Sequence, residues 1–115
     1  MKSVKSWLLA AAAVAGCGNA AGGAGASDGQ AVFQSLCASC HGPDGRPPAA
    51  MVARLGVRDL TAPEFRARAT PAVVEQQVRT GSTNKLMPAF AGAIDDAEIT
   101  AVAAYVASPR FVAPP

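Results

Sequence analysis

From residue 28 to residue 108 the apolar positions recur at helical spacing and nowhere alternate cleanly with a period of two, so the pattern predicts helices and no sheet. Asp28 stands as an N-cap ahead of Phe33, Leu36, Cys37 and Cys40, which follow the i, i+3, i+4, i+7 rule, with Gly29 one turn before Phe33 on the same face. Pro43-Asp44-Gly45 and Pro47-Pro48 break that helix. A short helix is predicted over 49–55, and Thr61 to Glu64 reads as a capping box that opens a turn around Phe65. Thr70 as cap and Pro71 in the first turn start a helix with Val74 and Val78 on one face, which Gly81 stops before the polar loop Ser82 to Lys85. Asp95 and Glu98 form a cap signature ahead of Ile99, Val102, Tyr105 and Val106, and Ser108-Pro109 ends that last helix.

The first 26 residues follow a different pattern. A basic start, Met1 to Lys5, precedes an apolar run from Trp7 to Gly16 that is far short of the ~20 residues needed to span a bilayer, so it reads as an export signal. Val14-Ala15-Gly16-Cys17 resembles a bacterial lipobox, with Val14 where Leu is usual, which implies cleavage before Cys17 and lipidation of that cysteine. The alternative site, Ala24-Gly25-Ala26, would release a soluble protein beginning at Ser27. It lies ten residues past the apolar run and leaves Cys17 without a role, so lipidation is the expectation. Gly18 to Ser27 is almost entirely Gly and Ala and reads as a flexible linker. The predicted organisation is a signal peptide at 1–16, a tether at 17–27, a folded domain at 28–110 and a tail at 111–115.

Composition narrows what the domain can be. The whole chain has 115 residues, and its large apolar content is diluted by Ala, with aromatics only at Trp7, Phe33, Phe65, Phe90, Tyr105 and Phe111. A domain of ~80 residues with so few large side chains needs a staple such as a metal, disulfides or a cofactor. The net charge of +2 owes to Lys2 and Lys5, because from Gly18 onward eight Arg and Lys face eight Asp and Glu. That balance argues against a basic nucleic-acid-binding domain. Residues 46–85 carry seven cations and three anions, either a solvated face or a docking surface.

The chemistry is concentrated in Cys37-Ala38-Ser39-Cys40-His41. Two cysteines three apart on a helix face the same way about one turn apart, which matches the two vinyl groups along one haem edge, and the histidine that follows is carried under the porphyrin. This is the attachment pattern of a c-type haem. A redox dithiol would need a βαβ context that is missing, and a zinc site would need four ligands in a chain whose one histidine is His41. A plain disulfide would leave His41 a chance neighbour.

With these residues in view, Asp28 to Ser108 resembles a monohaem class I cytochrome c. Gly29 and Phe33 stand where that family places the Gly and aromatic that meet the last helix, Val102 and Tyr105 resemble the pair that receives them, and Leu86-Met87-Pro88-Ala89-Phe90 resembles the loop that supplies the distal ligand. The resemblance implies an all-α small cytochrome c fold, four to five helices wrapped around one covalently bound haem c. Cys37 and Cys40 would form the thioethers, with His41 and Met87 as axial ligands. Two-histidine ligation within the chain is excluded by the single His; of the remaining thioethers, Met51 lies in an apolar stretch where packing is its default, whereas Pro88 favours an extended Met87 in a strap. The second His41 nitrogen is expected to donate to a carbonyl near Pro47 or Pro48, and Arg46, Arg79 and Lys85 are candidate propionate partners or solvated cations. The expected function is single-electron transfer, without enzymatic catalysis, by an exported monomer. It would be anchored through Cys17 at the periplasmic face of a bacterial membrane and would serve membrane-bound reductases or oxidases. A subunit of a larger membrane-associated oxidoreductase, and a haem-based gas or redox sensor, are the alternatives.

Overall fold

Three of the four start signals act where the sequence places them. In the computed structural model, which describes residues 27–113, the Asp28 carboxylate accepts from the Gln30 and Ala31 amides and opens α1 (Gly29–Leu36). The export signal, Cys17 and the linker as far as Ala26 lie outside the described residues. A one-residue interruption at Cys37, where φ is −116°, separates α1 from α2 (Ala38–His41), although the Cys37 amide still donates to the Phe33 carbonyl at 2.9 Å. Gly42 ends α2 at φ +80°, where a Cβ would run into the Arg46 carbonyl, so only glycine serves there. After α3 (Ala49–Leu55) comes the single turn α4 (Pro63–Arg66), and α5 (Pro71–Thr80) then begins from the Thr70 hydroxyl, which accepts from the Val73 amide at 3.2 Å. The predicted capping box of α6 (Asp96–Ala107) is complete: Glu98 N donates to Asp95 at 2.8 Å and Asp95 N to the Glu98 carboxylate at 3.1 Å. A 3₁₀ turn, Pro109–Phe111, follows α6. Among the described residues there is no strand.

Two local expectations need correction. Thr61 does not cap α4: Ala62 stands at the N-cap without a side-chain bond, and Pro63 at the first helical position supplies a preset φ. The Thr61 hydroxyl and amide both donate to Asp59 instead, at 2.6 and 2.8 Å. Among the described residues the α-helices number six rather than four to five, through the split at Cys37 and the brief α4.

α6 is the central element, packed against both α5 and α1. Phe33, Ile99 and Val102 are fully buried, each such side chain contributing about 1.5–3 kcal/mol, and Leu60, Val74, Val78, Ala103 and Val106 complete the core with Phe111. Gly29 lies so close to α6 that a Cβ would collide with the Ala101 carbonyl and the Tyr105 side chain. This close approach brings Phe33 and Tyr105 edge to face at 6.0 Å, and Phe111 meets both, at 5.1 and 5.3 Å. Phe111 therefore belongs to the core, not to a tail: Ser108-Pro109 ends the α-helix, but the 3₁₀ turn folds the ring back. Arg66 holds the same end, donating to the Val106 carbonyl at 2.7 Å and the Ser108 carbonyl at 3.1 Å, which satisfies acceptors that the end of α6 leaves open.

Candidate haem site

α2 places three of the candidate residues together. The Cys40 and His41 amides both donate to the Cys37 carbonyl, at 3.2 and 2.9 Å, so the two cysteines sit one turn apart with His41 directly after them. Both thiols are half-buried and unpaired with each other. Burial, and secondarily the neighbouring Cys40, pushes the Cys37 thiol up to about 11.

His41 is half-buried at the end of α2. Its Nδ1 lies 3.1 Å from the Arg58 carbonyl, an acceptor, so Nδ1 carries the proton and Nε2 keeps a free lone pair. Arg58 thus takes the role expected of Pro47 or Pro48. The physical reason is the loop between α2 and α4: Gly42 and Gly45 both adopt positive φ, and the Leu60 amide donates to the Gly45 carbonyl at 2.9 Å, which folds residue 58 back on His41. Burial lowers the His41 pKa below its ordinary value, and the Arg58 carbonyl partly opposes that by favouring the protonated ring.

Met87 reaches the core from a strap rather than a helix. It is half-buried and packs against the core, as does Phe90, whereas Met51 lies within α3. The strap is tied to the end of α5. Gly81, at φ +70°, runs so near that a Cβ would come within 2.5 Å of the Met87 carbonyl, and the Phe90 amide donates to the Val78 carbonyl at 3.0 Å. Ser82 holds Met87 from both sides: its amide donates to the Met87 carbonyl at 3.0 Å and its hydroxyl accepts from the Met87 amide at 2.9 Å. The sequence pattern marks Ser82 only as part of a polar loop.

The candidate propionate partners fare unequally. Arg79 bonds Glu75 and Asp96, each at 2.8 Å, and so joins α5 to the start of α6. Arg46 donates from Nε to the Thr61 hydroxyl at 3.3 Å, and Lys85 is exposed at φ +63°.

The donor set suits an iron porphyrin bound as haem c: two half-buried thiols one turn apart, an imidazole whose Nδ1 is occupied and whose Nε2 is free, and a thioether facing the core. It does not suit a polynuclear or zinc-type centre, since among the described residues no three His, Cys, Asp or Glu side chains converge. No helix of the described residues is long and apolar enough to cross a membrane.

Known proteins resemble this chain in sequence and in fold. The family model described as cytochrome c oxidase, cbb3-type, subunit III matches residues 24–106. Among solved structures, the KustC0563 c-type cytochrome is 26% identical, with a TM-score of 0.61 over 70% of this chain and 94% of that one. A tyrosine-to-phenylalanine mutant of Kustc0563 is 28% identical, with a TM-score of 0.60 over 70% of this chain and 95% of the other. With its helical frame and its Cys-x-x-Cys-His segment, the chain is a cytochrome c domain and belongs to the family described as cytochrome c oxidase, cbb3-type, subunit III.

Proposed function

We propose that the protein is a single-electron carrier with one haem c, joined through thioethers to Cys37 and Cys40 and ligated by His41 and Met87. When bound, the haem iron accepts and returns one electron. The observation that carries the reading is the state of His41: the chain's one histidine, directly after the second cysteine, held by a carbonyl on Nδ1 with Nε2 left to bind a metal. Met87 supports it as the thioether on a strap seated against the core. Leu36 beside Cys37 and Leu86 beside Met87 are 41% and 52% exposed, apolar surface next to two of the proposed haem-binding residues that a bound apolar group could cover.

Ligation by both residues leaves no position for a substrate, which favours outer-sphere electron transfer, and the thioether raises the reduction potential. In the test of attachment, acid acetone should extract no haem from the wild type, and free haem in the extract would overturn the central claim. For ligation, the oxidised protein should show the weak near-red band of Met-to-ferric-iron coordination and lose it in Met87→Ala; loss in Met51→Ala instead would reassign the ligand.

The family description favours a second reading, in which the domain works as a subunit of a larger oxidoreductase. Purification from native membranes separates the two: a stoichiometric oxidase partner supports the subunit, and a free monomer supports the carrier. Anchoring through Cys17 belongs to the same proposal and rests on the Val14-Ala15-Gly16-Cys17 segment. Two or more acyl chains give stable membrane binding where one gives only marginal binding, so the wild type should stay with membranes in high salt and Cys17→Ala should not.

A further inference from the structure

We propose that Ser82 is a positioning residue for Met87, retaining it through a closed ring of hydrogen bonds within the strap; this rests on Met87 as the axial ligand. The ring uses every polar group of Ser82. Its amide donates to the Met87 carbonyl at 3.0 Å, and its carbonyl accepts from the Lys85 amide at 3.0 Å. Its hydroxyl oxygen accepts from the Met87 amide at 2.9 Å, and that amide can only donate, so the single hydroxyl proton goes to Asn84 Oδ1, 2.6 Å away. Asn84 Oδ1 also accepts from the Leu86 amide at 3.0 Å. Met87 thus has both of its backbone polar groups engaged by one residue five positions earlier.

The ring also accounts for Lys85. A lysine at φ +63° adopts a conformation that persists only where its surroundings over-determine it, and the bonds on either side, through Ser82 and Asn84, do so here. Outside the ring the strap has fewer holds: Met87 and Phe90 rest on the core, and the Phe90 and Ala91 amides donate to carbonyls at the end of α5. Removing the hydroxyl leaves the Met87 amide without its acceptor and releases Asn84. Opening of the strap then becomes easier while the apolar seating of Met87 is unchanged.

An outside ligand reads this directly, because it binds the ferric iron only when Met87 has left. Imidazole is titrated into the ferric holoprotein of wild type, Ser82→Ala, Ser82→Thr, Asn84→Ala, Thr70→Ala and Met87→Ala. Loss of one such hydrogen bond should lower the apparent imidazole Kd of Ser82→Ala about three- to tenfold, with haem content and the near-red band before titration unchanged. Ser82→Thr, which keeps the hydroxyl, should return within about twofold of the wild type, and Asn84→Ala should fall between. Thr70→Ala deletes a hydroxyl bond at the far end of α5 and should leave the Kd unchanged. Equal Kd values for wild type and Ser82→Ala, or an equal gain in Thr70→Ala, would overturn the proposal, since packing or general stability would then hold the strap. If Ser82→Ala does not accumulate as holoprotein, Asn84→Ala decides alone: a wild-type Kd there counts against the ring. A Met87→Ala protein that keeps the near-red band would instead remove the ligand assignment beneath it.

Discussion

The two walls of the site are made by different means. Cys37, Cys40 and His41 stand on a helical run continuous with the core, since the Cys37 amide bonds the carbonyl of Phe33, a residue with no exposure at all. Met87 stands on a non-helical strap, held by the Ser82 ring, the end of α5 and its own seating on the core. The first wall inherits its rigidity from the packing of α1 on α6. The second is bonded within itself and to the end of α5 rather than to α1, and much of it meets solvent, so its opening would leave that packing in place. Under the proposed ligation, the first wall would hold the haem through its thioethers and the second would hold the iron through a segment with fewer ties to the core.

Breaking each wall in turn should therefore have unlike outcomes. Cys40→Ala should lose most of the holoprotein, seen as haem mass missing from the denatured chain. Met87→Ala should keep a full complement of covalent haem, lose the near-red band and shift to a lower reduction potential. Equal loss of haem in both variants would erase the distinction between the walls. Phe111→Ala attacks the frame beneath the first wall: deleting a buried ring that meets Phe33 and Tyr105 should cost about 3 kcal/mol, a fall of roughly 12–24 °C in melting temperature for a domain of this size. A melting temperature within a few degrees of wild type would return residue 111 to the tail.

The smallest effect concerns the loop that carries Arg58 to His41. Hydrogen bonds from the Thr61 hydroxyl and then the Thr61 amide, with Arg46 nearby, hold the Asp59 carboxyl below its ordinary value. A depressed folded value stabilises above the unfolded pKa of about 3.9, and that stabilisation disappears as the pH falls through the lower folded value. Thr61→Ala should melt slightly below the wild type at pH 7, and the gap should close in acid. A gap that persists at low pH would mean that the hydroxyl acts on something other than the carboxylate. Asp59 is near the surface, so the difference is small.

What could be read from the sequence was what is local or chemically rare. Asp28, Thr70 and the Asp95/Glu98 pair cap helices because the cap bond joins residues two or three apart, within reach of a sequence pattern. Thr61 to Glu64 has the same local signature and fails, since Asp59 captures the hydroxyl and the helix starts at Pro63, which puts Ala62 at the cap. The partner of His41 was illegible for a different reason: it is a backbone carbonyl 17 residues away, and a carbonyl has no residue type to betray it. Ser82 was hidden likewise, as one serine in a polar loop until the strap's path brings it against Met87. Phe111 lay past a stop signal that ends the α-helix and says nothing of the turn that follows.

The contact of Gly29 and Phe33 with Ala101, Tyr105 and Phe111 also sets an order of events. It joins the two ends of the domain, so a chain that emerges amino end first carries Cys37 and His41 into solvent well before their frame exists. Pairing partners so far apart in the chain makes closure a late and slow step, in contrast to the helices, which form from neighbours. A fragment ending before residue 95 would contain every proposed haem ligand and none of α6. Such a chain has the chemistry of a cytochrome but lacks the helix its core packs on, so α6, made after every proposed ligand, decides whether they are held in a fold.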